Sequence, residues 1–178
     1  MAKKRNIKSK SKRGKWVFLA AAAAVAVLAA ALIIGALYSG GAGDNSLNES
    51  LVIDEGGSLV IPINEISEAV SFYPVTIDGV NMEVIAVEAQ DGTLRTALNT
   101  CQVCVGSPLA YFVQLSGSLE CQACGNMFQI DRVGVEAGGC NPVPLSEGER
   151  TVTDQSVEVS FETMRAYAFM FPANWKTE

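Results

Sequence analysis

Hydrophobic and polar residues follow two different patterns along the chain, and the change between them lies near residue 50. Residues 16–38 form a stretch of twenty-three residues without a charge. At about 1.5 Å of rise per residue, this stretch is long enough to cross the roughly 30 Å hydrocarbon core of a bilayer. Trp16 and Tyr38 stand at its two ends, where aromatic rings favour the membrane interface. The pattern predicts one transmembrane helix over residues 16–38.

A cleaved signal peptide is the alternative for this stretch. The apolar region of a signal peptide is usually only about 7–15 residues long, and the small residues that follow Tyr38 form a weak cleavage site. A retained anchor is therefore favoured. The basic tail over residues 1–15 carries eight Lys or Arg and no acid, which predicts a cytoplasmic N-terminus. The remainder then lies outside the cytoplasm, in a single-pass protein of the cell membrane.

Beyond a linker rich in Gly, Ser and Asn over residues 39–50, the apolar residues occur in short runs typical of β-strands. The run over residues 80–86 alternates, which predicts a strand with one buried face. Asp-Gly pairs at 78–79 and 91–92 predict tight turns. Further extended segments are predicted at 59–63, 70–77, 94–98, 109–115, 119–121, 127–130, 142–145 and 157–161, and a short helix at 162–170. The sequence therefore predicts a mainly β domain over residues 51–178.

The charge distribution limits the kinds of partner that this outer domain can have. All 19 acids lie after residue 38 and are opposed there by only five Lys or Arg, so this part carries a formal charge of −14. Such a surface repels phosphate backbones, which argues against nucleic acid as a partner. The chain contains no histidine, which excludes a Ser-His-Asp triad. No pair of carboxylates has a spacing that argues for acid–base catalysis either.

The five cysteines of the chain all lie within forty residues of one another. Cys101 and Cys104 form one Cys-x-x-Cys pair, Cys121 and Cys124 form a second, and Cys140 follows two glycines. A Cys-x-x-Cys turn places two sulfurs on the same side of a tight loop, and two such turns joined by a hairpin would face each other. The spacing predicts that the four paired cysteines surround one metal centre. Thiolates suit zinc, iron–sulfur clusters or Cu(I).

Other interpretations of the cysteines remain open. Cysteines outside the cytoplasm commonly oxidise to disulfides, although an odd number leaves at least one thiol unpaired. Either pair could be a thiol–disulfide redox site, but such a site normally opens a helix and neither pair precedes a helical pattern. Cys140 could replace one ligand, bind a second metal, act as a neighbouring redox thiol, or be a small buried apolar residue. The two glycines before it favour a place beside the centre.

The order of these motifs resembles that of the membrane iron–sulfur proteins called FtrD-like. The resemblance rests on Asp91-Gly92 and Arg95 before the first cysteine pair, on Gly125 and Phe128 after the second, and on the Gly-Gly-Cys-Asn-Pro segment at 138–142. It implies a membrane protein with an iron–sulfur or other metal centre, held by Cys101, Cys104, Cys121 and Cys124 with Cys140 as a participant. It also implies an iron-uptake permease as a partner in some genomes, although some relatives have many more membrane spans than the one predicted here.

The layout is also similar to that of Rieske-type domains, in which two metal-binding loops separated by a hairpin precede a phenylalanine-bearing strand. Rieske centres use two histidines, so we expect an all-cysteine centre of lower potential. The predicted fold is a small β-sandwich or Rieske-like domain with two metal knuckles, preceded by one transmembrane helix. The predicted function is electron transfer linked to iron reduction or uptake, with a permease or redox protein as partner. We therefore expect an electron carrier or a metal-binding protein rather than an enzyme. A zinc- or copper-binding module, such as a metallochaperone, and a thiol–disulfide oxidoreductase are the alternatives.

Overall fold

The computed structural model describes residues 50–177. The predicted basic tail, the predicted transmembrane helix over residues 16–38 and nearly all of the predicted linker lie outside this range. Among the residues that the structure describes, no helix is both long enough and apolar enough to cross a membrane.

Within residues 50–177 the chain is mainly β, as predicted, with a single short α-helix near its end. The strands are β1 (Leu51–Val52), β2 (Ser58–Pro62), β3 (Ser71–Ile77), β4 (Val80–Glu88), β5 (Leu94–Cys101), β6 (Phe112–Leu115), β7 (Ser118–Cys121), β8 (Met127–Gln129), β9 (Pro142–Pro144), β10 (Thr151–Val152) and β11 (Ser156–Ser160), and the helix is α1 (Phe161–Tyr167). Single 3-10 turns occupy Ile63–Glu65, Ile130–Arg132 and Ala168–Met170.

These strands form three sheets. The central sheet has the order β1-β3-β4-β5-β9 and is antiparallel except where β1 runs parallel to β3. A second sheet has the order β10-β11-β2, and a third has the order β6-β7-β8. The predicted turn at Asp78 and Gly79 joins β3 to β4, and both residues have positive φ (48° and 78°), as the twist of a two-residue hairpin requires.

The central sheet is buried on both of its faces. Met82 and Val84 of β4 belong to a core shared with β2, β11 and α1, whereas Ile85 and Val87 belong to a core shared with β6, β7 and β8. The prediction of one buried face for this strand is therefore wrong. The alternating pattern concerns β4 alone, so it could not show that β6, β7 and β8 cover the other face of this strand.

Local sequence explains how the second sheet and its helix are bounded. Pro62 has no backbone N–H, and it ends β2, which pairs only with β11 and lies at an edge where a missing donor is tolerated. Ser160 ends β11, and its Oγ accepts a hydrogen bond of 3.1 Å from the Thr163 N–H. This contact is an N-cap, so it starts α1 close to where the sequence predicted a helix.

A buried carboxylate joins the central sheet to the third sheet. Glu83 of β4 is only 3% exposed, and its Oε2 accepts a hydrogen bond of 2.6 Å from Nδ2 of Asn99 on β5. Asn99 also accepts a bond of 2.8 Å from the Phe112 N–H and donates one of 3.1 Å to the Phe112 carbonyl. One side chain thus fixes both backbone groups of the first residue of β6.

The charge of Glu83 is balanced from the C-terminal end of the chain. Lys176 Nζ lies 2.8 and 3.0 Å from the two carboxylate oxygens of Glu83. The Lys176 N–H donates to the Pro108 carbonyl at 2.8 Å, and its ammonium lies 5.5 Å from the centre of the Tyr111 ring. Lys176 therefore fastens the C-terminal segment beside the chain that follows the first cysteine pair.

Replacing Lys176 by Met should leave the buried carboxylate without its counter-ion. We expect the free energy of unfolding of the full-length protein to fall by about 3 kcal/mol, the cost of removing one partner from a largely buried ion pair. Urea unfolding followed by tryptophan fluorescence measures this change. Arg165→Met is the matched control, because Arg165 and its partner Asp78 are 61% and 56% exposed and such a pair contributes less than about 1 kcal/mol. Equal losses in the two variants would contradict a structural role for Lys176.

Candidate metal centre

The first cysteine pair begins where a central strand ends. Cys101 is the last residue of β5, is fully buried, and lies opposite Pro142 of β9. Its N–H donates to the Ala110 carbonyl at 3.0 Å. The chain then turns so that Cys104 becomes half-buried, and Gly106 follows with φ of 90°. The pair thus connects the central sheet with β6.

The second pair begins at the end of β7, in the third sheet. Cys121 is buried and lies opposite Phe112, so the Asn99 contact with Phe112 also holds the strand that carries this cysteine. The Gly125 N–H donates to the Cys121 carbonyl at 2.7 Å, and the φ of Gly125 is 70°, which glycine adopts without strain. The backbone amides of Cys124 and Ala123 lie close enough to the Cys121 sulfur to oppose the rise in its pKa that burial causes.

Cys140 lies on a third loop, which side-chain amides hold in place. The buried Asn141 donates from Nδ2 to Gln102 Oε1 at 3.1 Å and to the Glu136 carbonyl at 3.0 Å. Asn126, from the second cysteine turn, donates to the Cys140 carbonyl at 3.0 Å. Gln102, beside the first cysteine pair, and Asn126, beside the second, therefore both hold the loop that carries Cys140.

The five sulfurs come together at one place. Those of Cys101, Cys104, Cys121 and Cys140 all lie within 4.8 Å of one another. Cys140 is 3.3 Å from Cys101 and 2.9 Å from Cys124 between sulfurs, and the Cys104 and Cys121 sulfurs are 4.0 Å apart. All five cysteines are free thiols. The structure therefore brings together every predicted site residue, with Cys140 inside the compact group and Cys124 at its exposed edge.

The compact group has the dimensions and the chemistry of a thiolate metal site. With a metal–sulfur bond of about 2.3 Å, tetrahedral ligation places the sulfurs about 3.8 Å apart, which lies within the range observed. Sulfur donors suit zinc, iron and Cu(I) rather than magnesium or calcium. Two of the four sulfurs belong to fully buried residues, so these two are shielded from water. The residues present fit a metal ion.

Comparison with known families agrees with this geometry. A family model described as "Membrane iron-sulfur containing protein FtrD-like" matches residues 66–171, a range that contains all five cysteines. The chain belongs to this family. No curated protein matches the chain, and no solved structure matches it.

The thiols of this FtrD-like protein differ in how easily they ionise. Burial, together with hydrogen bonding to the Cys101 and Cys124 thiols, raises the pKa of Cys104 to about 12. Burial likewise raises the pKa of Cys121 and of Cys140. A hydrogen bond with Cys140, supported by the Asn126 backbone amide, lowers the pKa of Cys124 to about 7. In the metal-free FtrD-like protein, Cys124 is therefore the exposed thiolate.

Three polar residues that support the FtrD-like site were not found by sequence reasoning. Asn99 holds Phe112, Gln102 accepts a 2.6 Å hydrogen bond from the Gly138 N–H, and Asn126 holds the Cys140 carbonyl. Gln102 and Asn126 lie next to cysteines and could have been noticed for that reason. Asn99 gave a weaker indication, an amide two residues before Cys101.

Alkylation of the metal-free FtrD-like protein should select one thiol at neutral pH. Because the thiolate is the reactive form, we expect iodoacetamide at pH 7 to label Cys124 well before the other four cysteines. Labelling should slow as the pH falls below about 7, where Cys124 becomes protonated. Peptide mass spectrometry after timed quenching measures this, with Cys124→Ser as the control that should lose the fast phase. Equal labelling of all five thiols would contradict the assigned order.

Proposed function

We propose that this FtrD-like protein is a membrane-anchored electron carrier in which cysteine thiolates hold an iron centre. The observation that carries the proposal is the convergence of four sulfurs, from three separate loops, within 4.8 Å. The family description names a membrane iron–sulfur protein, which favours iron among the metals that thiolates bind. When bound, such a centre supplies one-electron oxidation and reduction.

We assign Cys101, Cys104, Cys121 and Cys140 as the ligands of a single ion, because these four sulfurs form the compact group. Cys124 would then be a neighbouring thiol rather than a ligand. A multi-iron cluster is larger than a single ion and would need ligand sulfurs that are more widely spread. With that cofactor, the two Cys-x-x-Cys pairs would be the ligands, as the sequence motif alone suggests, and Cys140 would lie beside them.

The chain's own residues would shape the behaviour of the centre. The backbone amides of Ala123 and Cys124 oppose the rise in the pKa of Cys121 that burial causes, so they favour negative charge on this sulfur, and amides beside a ligand sulfur tune its reduction potential. Asn99 and Glu83 fix the separation of the two cysteine-bearing strands, so the ligands need not move when the charge changes. The two loops, presented beside a short antiparallel sheet whose last strand carries Phe128, are what we expect of a Rieske-like arrangement.

An electron carrier also needs a place where its partner can approach the centre. Val103 and Val105 flank Cys104 and are 66% and 42% exposed, although both are apolar. Cys124 is exposed on the other cysteine turn. We propose this edge as the contact with a redox protein or permease partner in iron reduction or uptake.

The apolar stretch at 16–38 is the proposed anchor, with the metal-binding domain outside the cytoplasm. We expect the full-length protein to stay in the membrane pellet after an alkaline wash, because about twenty apolar residues are enough to span a bilayer. A variant that lacks residues 1–38 should move to the soluble fraction. Immunoblots of the two fractions measure this. Full-length protein that is released by the wash would overturn the anchor.

A zinc- or copper-binding module is the second candidate. The observation that favours it is the same short spacing, since four thiolates around one ion suit Zn²⁺ as well as iron. In a metallochaperone, the exposed Cys124 would be the first thiol that an incoming ion meets. Metal analysis separates these candidates, because a zinc protein is colourless whereas an iron–thiolate protein absorbs visible light and bleaches on reduction.

The two candidate ligand sets differ in one member, which is Cys140 in the compact group and Cys124 in the paired motif. Substitutions of these two cysteines should therefore lower the metal content unequally. We expect anaerobically purified full-length protein to contain iron, with an iron content at least tenfold lower in Cys140→Ser and less than threefold lower in Cys124→Ser. Iron, zinc and acid-labile sulfide analysis, together with visible spectra, measures this. A large loss in Cys124→Ser with little loss in Cys140→Ser would instead support the paired motif as the ligand set. Folded but metal-free wild-type protein would overturn the proposed function.

A further inference from the structure

The Cys124 and Cys140 thiols are in contact, and one of them faces solvent. We propose that they form a reversible disulfide that withdraws Cys140 from the metal centre, which makes the site sensitive to oxidants. The effect on the metal rests on the proposed function, whereas the formation of the disulfide does not.

Accessibility determines where an oxidant can react first. Cys101 and Cys121 are buried, Cys104 and Cys140 are half-buried, and only Cys124 is exposed. A disulfide-containing molecule such as oxidised glutathione, which must bring its sulfur into line with the attacking thiol, can therefore reach Cys124 most readily.

Distance determines which thiol reacts with Cys124 once Cys124 has been oxidised. The sulfur of Cys140 lies 2.9 Å from that of Cys124, closer than its 3.3 Å separation from Cys101. An S–S bond of about 2.05 Å needs the two sulfurs to approach by less than about 1 Å. The half-buried Cys140 is thus placed to resolve any mixed disulfide that forms on Cys124.

The backbone on each side of the pair can accommodate this approach. Gly125 follows Cys124 and Gly138 precedes Cys140 by two residues, with φ of 70° and 85° and open space around each. The Asn126 side chain holds the Cys140 carbonyl at 3.0 Å, which keeps the two loops together while the sulfurs move. The strands that carry Cys101 and Cys121 need not shift.

The reaction is two successive thiol–disulfide exchanges. The Cys124 thiolate attacks one sulfur of oxidised glutathione, the S–S bond of that molecule breaks, and one glutathione thiolate leaves and takes up a proton. The Cys140 sulfur then attacks the Cys124 sulfur and loses its own proton to water. The bond between Cys124 and glutathione breaks, and the second glutathione leaves as a thiolate that takes up a proton. The two cysteines lose two electrons, and oxidised glutathione gains them as two thiols.

Formation of this disulfide would disrupt the four-sulfur group. Disulfide formation removes Cys140 and leaves Cys101, Cys104 and Cys121, too few thiolates to complete a tetrahedral site. Conversely, an ion bound to Cys140 holds the resolving sulfur and prevents the second exchange. Metal binding and oxidation should therefore exclude each other.

Peptide mapping of the metal-free, reduced, full-length protein tests the bond itself. After exposure to oxidised glutathione and alkylation of the remaining thiols, trypsin with a Glu-specific protease separates Cys101 and Cys104 (residues 96–120), Cys121 and Cys124 (121–132) and Cys140 (137–147). We expect 121–132 linked to 137–147, with Cys121 alkylated. Cys124→Ser should abolish this link and Cys104→Ser should retain it. A link within 96–120 or within 121–132, or glutathione left on Cys124 alone, overturns the proposal.

A second measurement separates this proposal from the proposed function. The protein is loaded with Zn²⁺ alone, its zinc content is measured, and the rate of disulfide formation is compared with that of the metal-free protein. At least tenfold slower oxidation of the loaded protein supports mutual exclusion. Equal rates in protein shown to contain zinc overturn it, whereas failure to bind zinc or iron overturns the proposed function and leaves the mapped disulfide standing as a separate result.

Discussion

The Glu83 carboxylate lies between the central sheet and the third sheet, and the arrangement of the cysteines depends on how it is satisfied. Asn99 links it to both backbone groups of Phe112, and Phe112 pairs with Cys121. Asn99 also lies two residues before Cys101 on the same strand. A buried charge is tolerated only when it is paired and hydrogen-bonded, so this contact is well defined in distance and direction. The polar contact therefore fixes the separation of Cys101 and Cys121 more exactly than apolar packing around it could.

The three cysteine loops are joined by amide hydrogen bonds as well as by apolar contacts. Gln102 and Asn126, one from each Cys-x-x-Cys turn, both bind the segment that presents Cys140. Burial, together with the neighbouring thiols, raises the pKa of Cys104 and of Cys140, so these thiols resist ionising. A cation removes that resistance, because it interacts favourably with every thiolate at once. The amide network thus holds sulfur in an arrangement that only a bound ion or a disulfide can make favourable.

Much of this structure could be predicted from local sequence, and the remainder could not for identifiable reasons. The turns at Asp78-Gly79 and Gly125, the cap at Ser160 and the strands that flank the cysteines follow from conformational preferences of a few neighbouring residues. The second buried face of β4 could not be predicted, because it depends on strands that follow some thirty residues later. The place of Cys140 inside the four-sulfur group likewise depends on the pairing of β9 with β5, which the Cys-x-x-Cys motif does not report. The partners of Glu83 are Asn99 and Lys176, and the latter is separated from it by 93 residues.

Lys176 follows Glu83 by 93 residues, and this separation has a consequence for how the protein is made. Strands β3 to β9 can leave the ribosome and begin to pair while Lys176, which neutralises Glu83, is still to be synthesised. The sheet that carries the second cysteine turn is fastened only after Lys176 has left the ribosome. An ion that enters before that moment meets sulfurs whose spacing is not yet fixed, so maturation of the centre belongs after synthesis of Lys176.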